Sequence, residues 1–289
     1  MGETGEMGRS EVRRAGAASR KAVFWLVGLW AFWLSGLLVH GILRGLGDEW
    51  MGPVDIRGLE TAVFFISPPE WLQENIQRRD IVQLDYLAFL NHVFWFPLPL
   101  LMSLAITRKK PEVTGEFFLW IVTLSMLAVV GFLLFPVVPP WMEGGSTRVL
   151  VDRAFTDYTS VDNNPVAAFP SMHAAVPAFM GLLFWHRCRE DGRPLAWLCL
   201  GYAGTVGFSV VYLGEHWVLD VLAGYALAGG VAWAFLSGIA RRATHIIPGD
   251  PVGRLIALNE RLLVPTSAAG GGGQQVEAPA EPASFPRAA

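Results

Sequence analysis

The chain has 289 residues, 53% of them hydrophobic and 16% charged, with a net charge of −3 and a mean hydropathy of +0.40. Soluble domains carry roughly 25% charged residues, so this composition argues against a water-soluble globular protein, and nothing in the charge distribution resembles a nucleic-acid-binding surface. The two cysteines, Cys188 and Cys199, fall in an expected inner loop and inside an apolar segment, which offers neither a disulfide nor metal-ligand spacing.

In chain order, residues 1–21 read as a flexible N-terminus holding Arg9, Arg13, Arg14, Arg20 and Lys21. Six apolar segments follow, at about 22–43, 81–106, 116–138, 171–187, 195–213 and 217–240. Each approaches the roughly 20 residues that cross a hydrocarbon layer as a helix. The first is too long for a signal-peptide core and no small-residue cleavage site follows it, so it reads as a retained anchor. Twelve tryptophans suit interfacial belts. The expected fold is an all-α integral membrane protein, a six-helix bundle occupying 22–242.

Basic residues favour the cytoplasmic side. With the N-terminus inside, sixteen of the 22 basic residues are cytoplasmic, which predicts that both termini lie there. The outer stretch 44–80 contains Ser67-Pro68-Pro69, a helix break flanked by room for a short helix on each side. The outer stretch 139–170 is rich in Gly, Pro, Asp and Asn and reads as a loop with little regular structure. Residues 243–289 form a cytoplasmic tail, low in complexity and disordered after about 265.

Two motifs carry chemistry. Phe169-Pro170-Ser171-Met172-His173 lies where the long outer loop enters the fourth segment. Proline suits a first helical turn, and the free N–H groups of such a turn attract anions. Ser171 and His173 there are placed to bind a phosphate and exchange a proton with it. In Gly214-Glu215-His216-Trp217-Val218-Leu219-Asp220, four residues separate His216 from Asp220, one helical face. A carboxylate beside an imidazole selects its tautomer, and Asp220 falls within an apolar span, where function is the default reading. The topology sets both motifs on the outer side. Among the other histidines, His40 and His245 read as interfacial, His186 as cytoplasmic, and His92 as a structural hydrogen bond between helices or an outer-site residue. Asp85 shares that ambiguity.

Together these residues resemble the type-2 phosphatidic acid phosphatase superfamily over about 80–240. The loop strings Pro136-x-x-Pro139-Pro140-Trp141 and Asn164-Pro165-x-Ala167-Ala168 look like its inositolphosphotransferase-like bacterial branch, related to fungal inositol phosphorylceramide synthase. The resemblance implies that the histidine matching His216 is a nucleophile forming a phosphohistidine. It further implies that Asp220 orients that imidazole, that His173 is the general acid and base, and that Ser171 helps hold the phosphate. No metal and no cofactor is implied. The implied substrate is a lipid phosphate, and the implied location is a plasma membrane with the site on its extracytoplasmic face. The sequence departs from the wider family in lacking a Lys-x6-Arg-Pro element: its lysines are Lys21, Lys109 and Lys110, all expected inside. An arginine is also missing at Val210. Arg148 and Arg153 are the candidates to replace these ligands, with Asn164 beside them, and the departures favour the phosphotransferase branch. The rival readings are a plain lipid phosphatase on polyprenyl phosphate or phosphatidate, a non-enzymatic lipid transporter or scaffold, and a metal site built from His173, His216 and Asp220.

Overall fold

The computed structural model describes residues 23–36, 38–39, 42–43, 52–79, 81–152, 167–237 and 251–263. The helices are α1 (Val23–Gly36), α2 (Arg57–Phe64), α3 (Pro68–Asn75), α4 (Val82–Phe94), α5 (Leu98–Lys109), α6 (Thr114–Leu134), α7 (Met172–Arg187), α8 (Arg189–Tyr212), α9 (Val218–Leu236) and α10 (Pro251–Leu263). Among the described residues there is no strand, only a parallel bridge between Val54 and Val137. The expectations for Arg153, Asn164, residues 1–21 and the tail beyond 265 fall outside the described residues.

Three stretches are long and apolar enough to cross a membrane: Pro111–Leu134, Gly192–Tyr212 and Val218–Leu236. A fourth crossing arises if α4 and α5 count as one span, bent by 54°. The bend falls at Trp95-Phe96-Pro97, where Pro97 lacks the N–H that would continue the ladder. The chain is thus an integral membrane protein. α1 is shorter than a full crossing, and α7 has 16 residues, so length alone supports three or four spans where the sequence predicts six.

α7 is the central helix, packed along α8 and α9 and touching α6. Lipid supplies little hydrophobic drive between helices, so close side-chain fit holds them. Phe117, Trp120, Ile121 and Leu124 of α6 meet Phe179, Met180, Leu183 and Phe184 of α7 in one buried cluster. α8 begins earlier than expected, directly after Cys188, and the turn from α7 is that one residue. At the N-terminal end of α6, Asn259 of α10 is fully buried. It accepts from Trp25 Nε1 at 3.3 Å and donates to the Pro111 carbonyl at 3.0 Å, so part of the expected tail is a docked helix.

The stretch 52–79 forms a layer over one end of the bundle. Ser67 precedes α3, and Pro68 and Pro69 occupy its first turn, so the prolines start a helix as well as ending one. Gln73 ties this layer down. Its Nε2 donates to Thr147 O at 3.0 Å and to Tyr212 O at 3.2 Å, and its Oε1 accepts from Thr147 N at 2.8 Å.

Beside it, Arg57 pairs with Glu70 at 2.6 Å, and the Glu143 carboxyl is influenced by the neighbouring Asp55. Burial, helped by Asp55, pushes the Glu143 carboxyl up to about 7. The folded chain therefore keeps this proton where an unfolded carboxyl has lost it, and stability falls as pH rises from the ordinary 4.5 through about 7. Glu143→Gln cannot ionise. It is expected to flatten this decline and to raise stability near pH 8 by no more than about 1 kcal/mol, given solvent screening. Thermal unfolding in detergent at acidic and alkaline pH reads the difference.

Candidate active site

Ser171 is the N-cap residue of α7, and Met172 begins the helix. Pro170 therefore stands before the helix rather than in its first turn, in a turn with a cis Phe169–Pro170 bond. The Ser171 N–H donates to Asp220 O at 3.0 Å, which fastens the start of α7 to the start of α9. Gly224 makes this approach possible, since a Cβ there would sit 2.4 Å from Ser171 O. Ser171 is fully buried, its Oγ has no hydrogen-bond partner among the described residues, and its side chain does not cap the helix. An unused hydroxyl thus stands at the positive end of α7, beside the N–H groups a helix leaves unpaired in its first turn.

His216 sits in the turn between α8 and α9. The Glu215 and His216 N–H groups both donate to Val210 O, at 3.0 and 3.2 Å. Gly214 makes the turn with φ of +79°, and a side chain there would also meet Thr147 O at 2.5 Å, so backbone sterics and close packing both demand glycine. α9 starts only after Trp217. The expected shared helical face is therefore corrected: His216 precedes the helix, and capping brings Asp220 to it. Asp220 folds back to accept from Trp217 N at 2.8 Å, and the same Oδ2 lies 3.5 Å from His216 Nδ1. That separation is longer than an N–H···O hydrogen bond, and among the described residues Asp220 Oδ1 and His216 Nδ1 have no hydrogen-bond partner. Trp217 anchors the turn through Nε1 to Val138 O at 2.7 Å.

The other nitrogen of His216 faces His173. His173 Nδ1 and His216 Nε2 are 3.2 Å apart, although 43 residues separate them. His173, His216, Asp220 and Ser171 are thus one cluster. His92 joins it: its ring stacks on His173 with centroids 4.4 Å apart, while Trp95 meets His173 edge-on at 4.8 Å. The sequence left His92 between a structural and a site role, and its position is against the site. Asp85, by contrast, receives the Tyr212 hydroxyl, a tie between α4 and the end of α8.

Arg148 lies in the same region. It forms a two-pronged pair with Glu215, Nε to Oε1 at 2.8 Å and NH2 to Oε2 at 3.1 Å, over the Trp141 ring at 4.6 Å. The guanidinium is thereby held rigidly one residue from His216. Its side chain is 9% exposed, so it is not a solvated loop charge. Among the described residues, no group of three or more His, Cys, Asp or Glu side chains is arranged to hold a metal ion.

Two features escaped the sequence reading. Glu60 of α2 is fully buried, and its Oε1 accepts from Leu219 N at 3.1 Å, in the first turn of α9. An acid within the apolar run Leu59–Phe64 was the available signal. The second is an apolar groove of about 750 Å³ between α4 and α8, lined by Leu84, Leu87, Leu90, Phe94 and Phe208. Its base is tied by Asn91 Nδ2 to Ser209 Oγ at 2.9 Å, and Asn91 precedes His92.

Comparison with curated proteins and with solved structures returned no match. A family model described as PAP2 superfamily matches residues 55–234, a range that contains α2 through nearly all of α9 and every described residue of the histidine cluster. With its membrane helices and its paired histidines at the starts of α7 and α9, the chain belongs to the PAP2 superfamily.

Proposed function

We propose that this protein is a membrane enzyme that cleaves or transfers a lipid-linked phosphate through a phosphohistidine on His216. One observation carries the reading. His216 turns Nε2 toward His173 Nδ1 at 3.2 Å and Nδ1 toward Asp220 at 3.5 Å. A carboxylate on Nδ1 selects the Nδ1–H tautomer and leaves the Nε2 lone pair as the nucleophile.

In the first step Nε2 attacks phosphorus and the P–O bond to the leaving group breaks. Protonated His173 gives its proton to the departing oxygen, and Asp220 stabilises the positive ring. In the second step His173 takes a proton from water or from an acceptor hydroxyl, whose oxygen attacks phosphorus and releases Nε2. Phosphorus must lie about 3–3.5 Å from the attacking nitrogen, so a seated phosphoryl group parts the two rings. The α7 N-terminus and Ser171 Oγ supply donors to the phosphoryl oxygens, and Arg148 supplies positive charge. Arg153 and Asn164 belong to the same proposed substrate set.

The groove between α4 and α8 accommodates a hydrocarbon chain, which supports an amphiphilic substrate. A six-span bundle with cytoplasmic termini and an extracytoplasmic site follows from the charge asymmetry. The missing lysine element favours the inositolphosphotransferase-like reaction, transfer to a lipid or polyol hydroxyl, over plain hydrolysis. The test is to offer phospholipids and polyprenyl phosphates, with and without acceptor alcohols, to the detergent-purified chain in chelator. Released phosphate without a new lipid species makes it a phosphatase, and activity lost in chelator removes the metal-independent mechanism. A transporter or scaffold would show no turnover and would keep its function in His216→Ala.

A further inference from the structure

Among the described residues, buried or half-buried acidic groups outside the proposed chemistry include Asp85, Glu70, Glu116 and Glu60. The first three are engaged by Tyr212, Arg57 and Arg187 respectively. Glu60 differs, because it reaches across from α2 to the helix that carries Asp220.

Its Oε1 receives the Leu219 N–H at 3.1 Å, and the Val218 N–H is directed at it as well. Among the described residues its Oε2 has no hydrogen-bond partner, like the neighbouring Asp220 Oδ1. Two buried carboxyls therefore share one helix N-terminus, and their charges act on each other. Among the described residues, the titratable group that acts on Glu60 is Asp220, with His216 beyond it. Ile56, Val137 and Trp217 form an apolar cluster nearby, and Arg57 on α2 itself is turned to Glu70.

We infer that Glu60 is a positioning residue for the His216–Asp220 pair, holding the first turn of α9 and setting, through its own protonation, how readily the site accepts a phosphoryl anion. The inference rests on the proposed function, which puts that anion at His216. With the proton on Glu60, the negative charge at the start of α9 is confined to Asp220 and an incoming anion is least opposed. With the proton lost, a second negative charge stands behind Asp220, and an incoming anion is repelled. Burial foremost, opposed by the Leu219 N–H, pushes Glu60 up to about 7, so the change falls across the neutral range. Proton and anion then influence each other reciprocally.

Orthovanadate, which adopts the five-coordinate geometry of a phosphoryl group in transfer, probes this without turnover. Its affinity for the full-length chain in detergent is measured from about pH 5 to about pH 9, a range spanning the carboxyl and imidazole titrations. The comparison is between wild type, Glu60→Gln, Glu60→Asp and His216→Ala. Glu60→Gln keeps an oxygen acceptor for the Leu219 N–H and cannot ionise. Taking the ratio of its affinity to that of wild type cancels the ionisation of vanadate itself. That ratio is expected to rise about tenfold from the acid to the alkaline end, within the usual range of coupling between sites.

A constant ratio overturns the inference, because a purely structural pin would be satisfied by the amide at every pH. Glu60→Asp retains an ionisable carboxyl and is expected to keep a wild-type-like pH dependence. If Glu60→Gln does not yield monodisperse protein, Glu60→Asp decides, and loss of the dependence there overturns the inference. Undiminished vanadate binding by His216→Ala would instead sink the reading of the site, separately from the role of Glu60.

Discussion

Replacing His216 by alanine is expected to lower turnover on the order of 10⁶-fold, the scale seen when a covalent nucleophile is removed from an otherwise intact site. The effect is large because no neighbour can substitute. His173 is the closest imidazole, but its Nδ1 faces His216 Nε2 at 3.2 Å, where the proposed mechanism has it protonate the leaving group. Its ring is clamped between His92 and Trp95. The fold is expected to survive, since the turn is held by the backbone of Glu215 and residue 216 to Val210 O and by Trp217 to Val138 O. Rapid-quench labelling with a phosphate-labelled substrate gives the sharper measurement. Wild type is expected to form an acid-labile, base-stable phosphoenzyme, and His216→Ala none. A labelled His216→Ala protein, or turnover within tenfold of wild type, would remove the phosphohistidine mechanism.

Asp220→Asn is expected to cost on the order of 10⁴-fold in kcat, as when the carboxylate behind a catalytic imidazole becomes an amide. An amide can place its oxygen on the Trp217 N–H, preserving the cap at 2.8 Å, so the start of α9 persists. The charge near His216 Nδ1 is lost in either amide orientation. If the amide nitrogen faces His216, it donates to Nδ1, shifts the proton to Nε2 and removes the lone pair that attacks. The loss should appear in kcat and in the rate of phosphoenzyme formation, with KM little changed, because Asp220 does not touch the substrate. Thermal unfolding separates this from damage to the fold. An Asp220→Asn enzyme with near-wild-type kcat would reassign the carboxylate to structure.

The site residues His173, His216, Asp220 and Ser171 were legible because each belongs to a short, ordered string with chemically distinctive members. The reason His216 meets Asp220 was not. A spacing of four suggested one helical face, yet the chain turns at Gly214 and starts α9 at Val218. The approach is thus made by an acid in the first turn folding back to cap its own helix. Arg148 was legible as a charge near the site but not as one held by Glu215. That pairing spans 67 residues and depends on Gln73 drawing Thr147 toward the end of α8. Glu60 and His92 were the hardest to read, each a lone polar residue in an apolar helix, where hydrogen bonding between helices is the commoner explanation.

The amino-acid sequence alone determined that the chain is helical and belongs in a membrane, and it singled out the two strings that carry His173 and His216. These properties are local: a run of apolar side chains must leave water wherever it occurs, and a motif is read one residue after another. Only the tertiary structure decided which ring nitrogen faces which, that α2 sends an acid to the start of α9, and that α4 lays an imidazole on His173. Helical periodicity settles which residues share a face. The rotation and depth of that face against its neighbours come from packing between helices, where a glycine such as Gly224, by letting α9 close on Ser171, sets the distances on which the chemistry depends.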